Sequence, residues 1–315
     1  MTRTLITGGL GFIGRSLTRM LMEAGHEVTI FDVVTDEGFL AKCAGRVKSV
    51  RGSLANWAQV MDAVAAAKPD QIIHGGAVLP PASESAPQAA YEVNVNGSYY
   101  VLEAARLLGV ARVVYASSVA SYGPDAPRDV VPNDFAQHPT GMYGVSKVCT
   151  ERLGEYYHRR FGLDFRAVRF PPIFGLGRGA SSGWTAFTSV AVEESALGHP
   201  YAMRVSPETR TGVLYIRDAA TSLADIAAAD DSRLTARCYS LHGFVVAARE
   251  LAEAIVRHVP DARITFEPDE QVTAFVRSIP ERLDDSLARA DWGWQPKYGL
   301  DEAVKDFVTT VRDRR

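Results

Sequence analysis

The sequence predicts an α/β protein built on a doubly wound parallel sheet, with a smaller α/β part added to it. Three observations carry this reading. Short apolar runs alternate with amphipathic stretches from Thr4 to Pro172, the rhythm of strands joined by crossover helices. A glycine-rich string, Thr7-Gly8-Gly9-Leu10-Gly11-Phe12-Ile13-Gly14, links the first strand to the first helix. An acidic residue, Asp32, ends the second strand, 18 residues after Gly14.

Thr4-Leu5-Ile6 is a short apolar run and reads as a buried strand. Leu17, Met20, Leu21 and Ala24 recur at helical spacing as far as Gly25, a helix stop. Between strand and helix the glycines have separate tasks. Gly8 permits the tight turn, Gly11 lets backbone N–H groups approach a pyrophosphate, and Gly14 lets the helix pack closely on the strand. The helix N-terminus at Phe12 and Ile13 offers free N–H groups and a positive dipole end to phosphates. Residues 28–31 form the second strand. Asp32 at its end accepts hydrogen bonds from ribose hydroxyls and repels a 2′-phosphate, so the pattern is that of a Rossmann sheet binding NAD rather than NADP.

The segment from Val34 to Gly45 is polar and weakly patterned. Residues 47–50 read as a third strand, 57–67 as an amphipathic helix, and 71–74 as a fourth strand broken by Gly75-Gly76. A long helix over about 87–108 ends at Gly109. Residues 112–116 make a fifth strand that runs into Ser117 and Ser118. A helix over about 140–161 stops at Gly162, and 165–170 make a sixth strand, closed by Pro171-Pro172. Beyond that point the rhythm changes. Gly and Ser dominate 175–183, and Ser181-Ser182-Gly183-Trp184 opens a helix ending near Leu197. A strand at 213–216 and a helix over 218–230 follow, and 238–241 returns to the main sheet as its last strand. Helices near 245–258 and 300–312 flank a strand at 263–266. Residues 1–172, rejoined by about 213–242, are therefore expected to bind the cofactor, and 173–315 mainly to bind substrate.

Composition narrows the function classes. With 47% hydrophobic and 23% charged residues and a net charge of −3, nothing marks a nucleic-acid surface. Cys43, Cys149 and Cys238 are few, odd in number and far apart, and the seven histidines lack ligand spacing, so neither disulfides nor a metal site is expected. The chain opens directly on a strand, and no apolar run is long enough to span a bilayer. The expectation is a reduced, cytoplasmic protein whose partner is a small-molecule substrate, not nucleic acid or a membrane.

Tyr143-Gly144-Val145-Ser146-Lys147 lies within the helix over 140–161, and its i, i+4 spacing puts phenol and ammonium on one face. A tyrosine near its ordinary pKa of about 10 is a poor base, and an adjacent cation stabilises its phenolate. Tyr143 is then suited to take a proton from an alcohol as hydride leaves for a nicotinamide. The strand ending in Ser117-Ser118 precedes this helix, and strand ends at the carboxyl edge of such a sheet face the cofactor crevice.

With these motifs in view, the chain resembles the extended short-chain dehydrogenase/reductase superfamily, which includes nucleotide-sugar epimerases and dehydratases. The resemblance covers nearly the whole length. It rests on the glycine string, Asp32, Asn94-Val95-Asn96-Gly97, the stretch from Ala116 to Gly123, and Tyr143-x-x-x-Lys147. It implies that Tyr143 is the acid/base and that Lys147 binds the nicotinamide ribose and tunes Tyr143. It also implies that Ser118, five residues before Gly123, orients the hydroxyl, and that Asn94 helps hold the nicotinamide half. Finally, it implies a homodimer pairing through the helices over 87–108 and 140–161.

Departures from the epimerase pattern shape the substrate reading. Where epimerases usually carry an asparagine for the sugar-nucleotide diphosphate, this chain has Arg169-Phe170-Pro171-Pro172, and proline offers neither an amide side chain nor a backbone donor. Ser53-Leu54 stands where an acidic residue commonly meets the adenine. The strings at 208–219 and 283–294 resemble the superfamily's short-chain L-threonine dehydrogenases and sugar-acid dehydrogenases. Those act on small hydroxyl substrates bearing a carboxylate, and Arg210 is the expected bidentate clamp for it. The alternative is a UDP-sugar 4-epimerase that retains its NAD. His74 reads as a packed or cofactor-adjacent residue, Trp292 and Trp294 as anchors of the C-terminal part, and Glu103–Arg106 as a solvated pair.

Overall fold

The computed structural model describes residues 1–179 and 183–314, so Ser181 and Ser182 lie outside the described residues. The chain runs β1 (Arg3–Thr7), α1 (Phe12–Glu23), β2 (Glu27–Asp32), α2 (Glu37–Lys42), β3 (Val47–Arg51), α3 (Trp57–Ala67) and β4 (Gln71–His74). It continues through α4 (Ala82–Ser85), α5 (Pro87–Ala90), a π turn (Tyr91–Asn96), α6 (Gly97–Leu107), β5 (Arg112–Ser118), α7 (Met142–Phe161) and β6 (Asp164–Phe170). Then come β7 (Ile173–Phe174), α8 (Phe187–Leu197), β8 (Tyr201–Met203), β9 (Arg210–Tyr215), α9 (Ile216–Ala228), β10 (Cys238–Ser240) and β11 (Phe244–Ala247). The chain closes with α10 (Ala248–His258), β12 (Ile264–Phe266), α11 (Glu270–Ser278), α12 (Ser286–Trp292) and α13 (Leu300–Arg312).

Period-two alternation builds the central sheet. Leu5, Ile72, Val113 and Phe165 point to one face and Ile6, Ile73, Val114 and Val168 to the other, each joining a separate apolar core. Helices α3, α6 and α7 cover the first face, and α1 and α9 the second. Each such side chain taken from water contributes about 1.5–3 kcal/mol. The seven strands are all parallel, in the order β10-β6-β5-β4-β1-β2-β3. The strand read at 238–241 thus does return to the main sheet, beside β6. Arg166, fully buried, is compensated: it pairs with Asp164 at 2.8 Å and donates to the carbonyls of Ile226 and Ala229 at the end of α9.

Departures from the local pattern have physical causes. The polar stretch after Asp32 contains α2, because Asp36 caps Phe39 N–H and Phe39 is buried. The helix expected over 87–108 carries a π turn that shifts its register at Asn94. The start of the helix read near 245–258 is instead part of β11, Phe244–Ala247, because these residues pair antiparallel with β9 in a small β11-β9-β7 sheet. Trp294 is buried with its indole N–H on Asp285, and Trp292 meets Tyr239 of β10 edge-on, so both lie within the C-terminal packing. Among the described residues no helix is long and apolar enough to cross a membrane, and no cluster of three metal-ligating side chains occurs.

The glycine turn is packed too tightly for side chains. Gly8 has φ +70°, and a Cβ there would stand 2.8 Å from Gly76 Cα. A Cβ on Gly14 would stand 2.2 Å from the Gly8 carbonyl oxygen and 2.7 Å from Gly9. Gly14→Ala should therefore push α1 off β1, costing about 1–3 kcal/mol and weakening NAD binding. Denaturant melts and cofactor titration of the purified variant check this; unchanged NAD affinity would refute it.

Candidate active site

All seven parallel strands deliver their carboxyl ends to one edge of the sheet, and the glycine turn sits there, joining β1 to α1 with Gly8 packed against Gly76. Helix α1 begins at Phe12 with no side-chain cap and no acidic residue in its first turn, so the amides of Phe12 and Ile13 are left to a ligand. Gly11 keeps the approach clear, since a Cβ there would stand 3.0 Å from the Gly8 carbonyl. Asp32 braces the turn, its Oδ2 accepting Leu10 N–H at 3.0 Å and its Oδ1 accepting Val34 N–H at 3.3 Å. A carboxylate has about four acceptor sites, so Asp32 keeps capacity for ribose hydroxyls. The uncapped helix, bare turn and acidic strand end fit a dinucleotide.

A buried polar chain fixes the floor beside this turn. Gly76 N–H donates to Thr7 Oγ1, which meets His74 Nδ1 at 2.6 Å. His74 Nε2 meets Ser98 Oγ at 2.9 Å, and Ser98 in turn donates to the Asn94 carbonyl. Ser98 must then accept from Nε2–H, which leaves Nδ1 to accept from Thr7 and the imidazole neutral. His74 also stacks on Tyr115, with centroids 5.4 Å apart. It is a packed residue. Asn94, expected to help hold the nicotinamide half, is itself held in place. Its side chain clamps the Val78 backbone, accepting Val78 N–H at 2.7 Å and donating to the Val78 carbonyl at 2.9 Å, and it also reaches Ser146 of α7. The π turn aims Asn94 at the loop after β4.

Tyr143, Lys147 and Glu151 recur every four residues along one face of α7. At its N-terminus the Glu84 carboxylate accepts the amides of Met142 and Tyr143. Gly144 lets the helix press on the turn after β5, where a Cβ would stand 2.1 Å from the Ala120 carbonyl. The two serines ending β5 then diverge. Ser117 is buried and donates to Glu151 at 2.5 Å, whereas the Ser118 hydroxyl accepts Ala120 N–H at 3.1 Å and lies where it draws the Tyr143 pKa down. Glu151 is locked to Arg169 of β6, and Arg169 also bonds Tyr122 and the Asn133 carbonyl.

Burial pushes the Tyr143 phenol up to about 12, against the Ser118 hydrogen bond and the Arg178 charge, which draw it down. Lys147 lies beside it. Its ammonium donates to the Ala116 carbonyl at 2.6 Å and lies over the Tyr115 and Tyr143 rings, and burial lowers its pKa to about 7 despite the Glu151 charge.

Arg210 is not brought to this site. It opens β9, half-exposed, with Nε 3.2 Å from Glu281, and lines a separate cleft of about 420 Å³ with Val130, His242, Phe244 and Arg282. The sequence reading missed Arg178, Glu84 and Glu151. Arg178 follows β7, and its charge and the Tyr143 phenol act on each other. Only Glu151 left a trace, as the next step of the four-residue spacing after Tyr143 and Lys147.

This fold and site define a class: a Rossmann-type oxidoreductase using a helix-borne Tyr-x-x-x-Lys pair at the mouth of a dinucleotide crevice. The chain belongs to the NAD dependent epimerase/dehydratase family, whose model matches residues 4–240, and its cofactor is NAD. It is 30% identical to the mitochondrial L-threonine 3-dehydrogenase of Bos taurus over 307 residues, 97% of this chain and 82% of that one. A GalE-like L-threonine dehydrogenase from Cupriavidus necator, in holo form, superposes with a TM-score of 0.91 at 30% identity, covering 98% of this chain and 99% of that one. The UDP-glucose 4-epimerase of Thermotoga maritima shares the fold, with a TM-score of 0.85 at 21% identity and 99% coverage of each chain.

The His74 chain implies a pH dependence. In the folded protein burial lowers His74 to about 3, while the unfolded histidine titrates at 6.5. Between these values the unfolded chain binds the extra proton. The contribution is complete above pH 6.5 and shrinks as pH falls through the window, by up to about 1.4 kcal/mol per pH unit. Denaturant melts from about pH 7 to pH 4.5 should show a steeper decline in wild type than in His74→Asn. Equal slopes would remove His74 from the account.

Proposed function

We propose that this NAD-dependent enzyme is a dehydrogenase that oxidises the secondary alcohol of a small substrate carrying a carboxylate, a β-hydroxy amino acid or a sugar acid. One arrangement carries the reading: Tyr143 and Lys147 share one face of α7, the Lys147 ammonium 5.2 Å from the centre of the Tyr143 ring, with Ser118 ending the neighbouring strand β5. The likeness to L-threonine 3-dehydrogenases supports a dehydrogenase over an epimerase. So does Pro172. In place of an amide side chain for a diphosphate, its carbonyl accepts Leu214 N–H at 3.0 Å and stitches β9 to the end of β6.

Gly8, Gly11 and Gly14, the amides of Phe12 and Ile13, and Asp32 hold NAD, with residues 1–172 and the returning strand β10 as its domain. The chemistry that NAD supplies when bound is hydride acceptance at its nicotinamide ring. Ser118 holds the substrate hydroxyl against Tyr143 Oη, which takes the hydroxyl proton as the C–H bond is lost and returns it in the reverse direction. Lys147, nearly stripped of water, props the Tyr143 ring and is positioned for the cofactor ribose.

Tyr143→Phe should keep NAD binding and lose about 10²-fold or more in turnover, measured as NADH absorbance with L-threonine and a panel of sugar acids. Because the resting phenol lies high, oxidation by wild type should climb steadily from about pH 7 to pH 10 without a plateau. A UDP-sugar epimerised without net NADH, with NAD carried through purification, would hand the case to the epimerase reading.

We also propose a homodimer through α6 and α7, whose surfaces expose Tyr99, Leu107, Val145, Tyr156 and Phe161. One structural relative, from a metagenome, is described as monomeric. Sedimentation equilibrium at working concentration should give twice the chain mass, and a single-chain mass would reject the dimer.

A further inference from the structure

We propose that Arg178, not Arg210, anchors the substrate's carboxylate: its guanidinium is braced by the loop after β7, which abuts Phe12 of the glycine turn at Gly177, and among the described residues it has no carboxylate partner. This rests on the dehydrogenase reading above and specifies its substrate as an acid whose carboxylate lies within a few bonds of the reacting carbinol.

The bracing is specific. One terminal nitrogen of Arg178 donates to the Ile173 carbonyl at 2.7 Å and the other to the Thr185 hydroxyl at 2.6 Å. These bonds tie the two sides of the loop between β7 and α8 and fix the plane of the fork. A guanidinium has five N–H donors, so more than half remain. Among the described residues none of those has a protein acceptor.

Counter-ions mark the contrast. Arg166 and Arg169, the arginines buried deepest, are each matched by a carboxylate, Asp164 and Glu151. Arg210 is matched by Glu281. Arg178 is partly buried with no such match, and the desolvation this entails brings its pKa down to about 10. A desolvated cation without a counter-ion favours an anionic ligand. A carboxylate supplies the planar acceptor pair that a fixed fork binds bidentately. With that end held at Arg178, the carbinol is directed to Ser118 and Tyr143.

The test uses full-length protein saturated with NAD, and calorimetric titration of wild type, Arg178→Lys and Arg178→Gln. Two matched pairs serve as probes, L-threonine with L-threoninamide and D-glycerate with glyceramide, in which only the carboxylate changes. Wild type should prefer the acid of at least one pair by about tenfold or more. R178Q should bind acid and amide alike, R178K should keep part of the preference, and both should retain NAD affinity and a wild-type melting profile. An R178Q protein that keeps the wild-type preference overturns the anchor and leaves the carboxylate substrate standing. A wild type that favours neither acid overturns the anchor and the carboxylate reading together. If R178Q does not fold, R178K decides: an undiminished preference there rejects the fork geometry.

Discussion

The Glu151–Arg169 pair is the interaction on which the site depends. Glu151 is fully buried on α7, and Arg169, on the neighbouring strand β6, meets it at 2.7 Å. Two charges out of water are costly, and losing either partner leaves the other uncompensated at about 3–5 kcal/mol. The pair is satisfied on every side. Ser117 and Gln137 donate to Glu151, while Arg169 reaches Tyr122 and the Asn133 carbonyl, and Asn133 in turn holds β10. One network therefore fixes the end of β5, the face of α7 and the edge strand. Lys147 and Tyr143, one and two turns earlier on that face, inherit their positions from it.

Burial then works against charge throughout the site. It raises the Tyr143 phenol and lowers both Lys147 and Arg178. A neutral phenol flanked by two reluctant cations is an arrangement that an anionic ligand relieves, because each cation regains the partner that water supplied. Ser118 keeps its hydroxyl out of the core network to which its neighbour Ser117 is committed, accepting Ala120 N–H instead.

With a UDP-glucose 4-epimerase the chain shares its frame. Both share the parallel sheet and the crevice at its carboxyl edge, the place where loops can change ligand without disturbing the core. Pro171 and Pro172 close β6 here, and the Pro172 carbonyl serves the small β11-β9-β7 sheet. The loop that follows brings in Arg178, and α11 covers part of it where Phe275 meets Trp184 edge-on at 5.0 Å.

The sequence by itself determined the central sheet, because alternation of apolar residues and glycine stops are local signals. The strands β1–β6 fall within a few residues of where periodicity puts them, and α3 spans the stretch its pattern marks. The Tyr-x-x-x-Lys spacing, the glycine turn and Asp32 were legible for the same reason. Tertiary structure alone decided what depends on distant partners. Strands β7, β8 and β11 are two to four residues long and exist through their pairings. Arg178 and Arg210 are indistinguishable as letters in glycine- and threonine-rich stretches. Only folding gives Arg210 a glutamate and leaves Arg178 without one, because the counter-ion is supplied by chain 71 residues away.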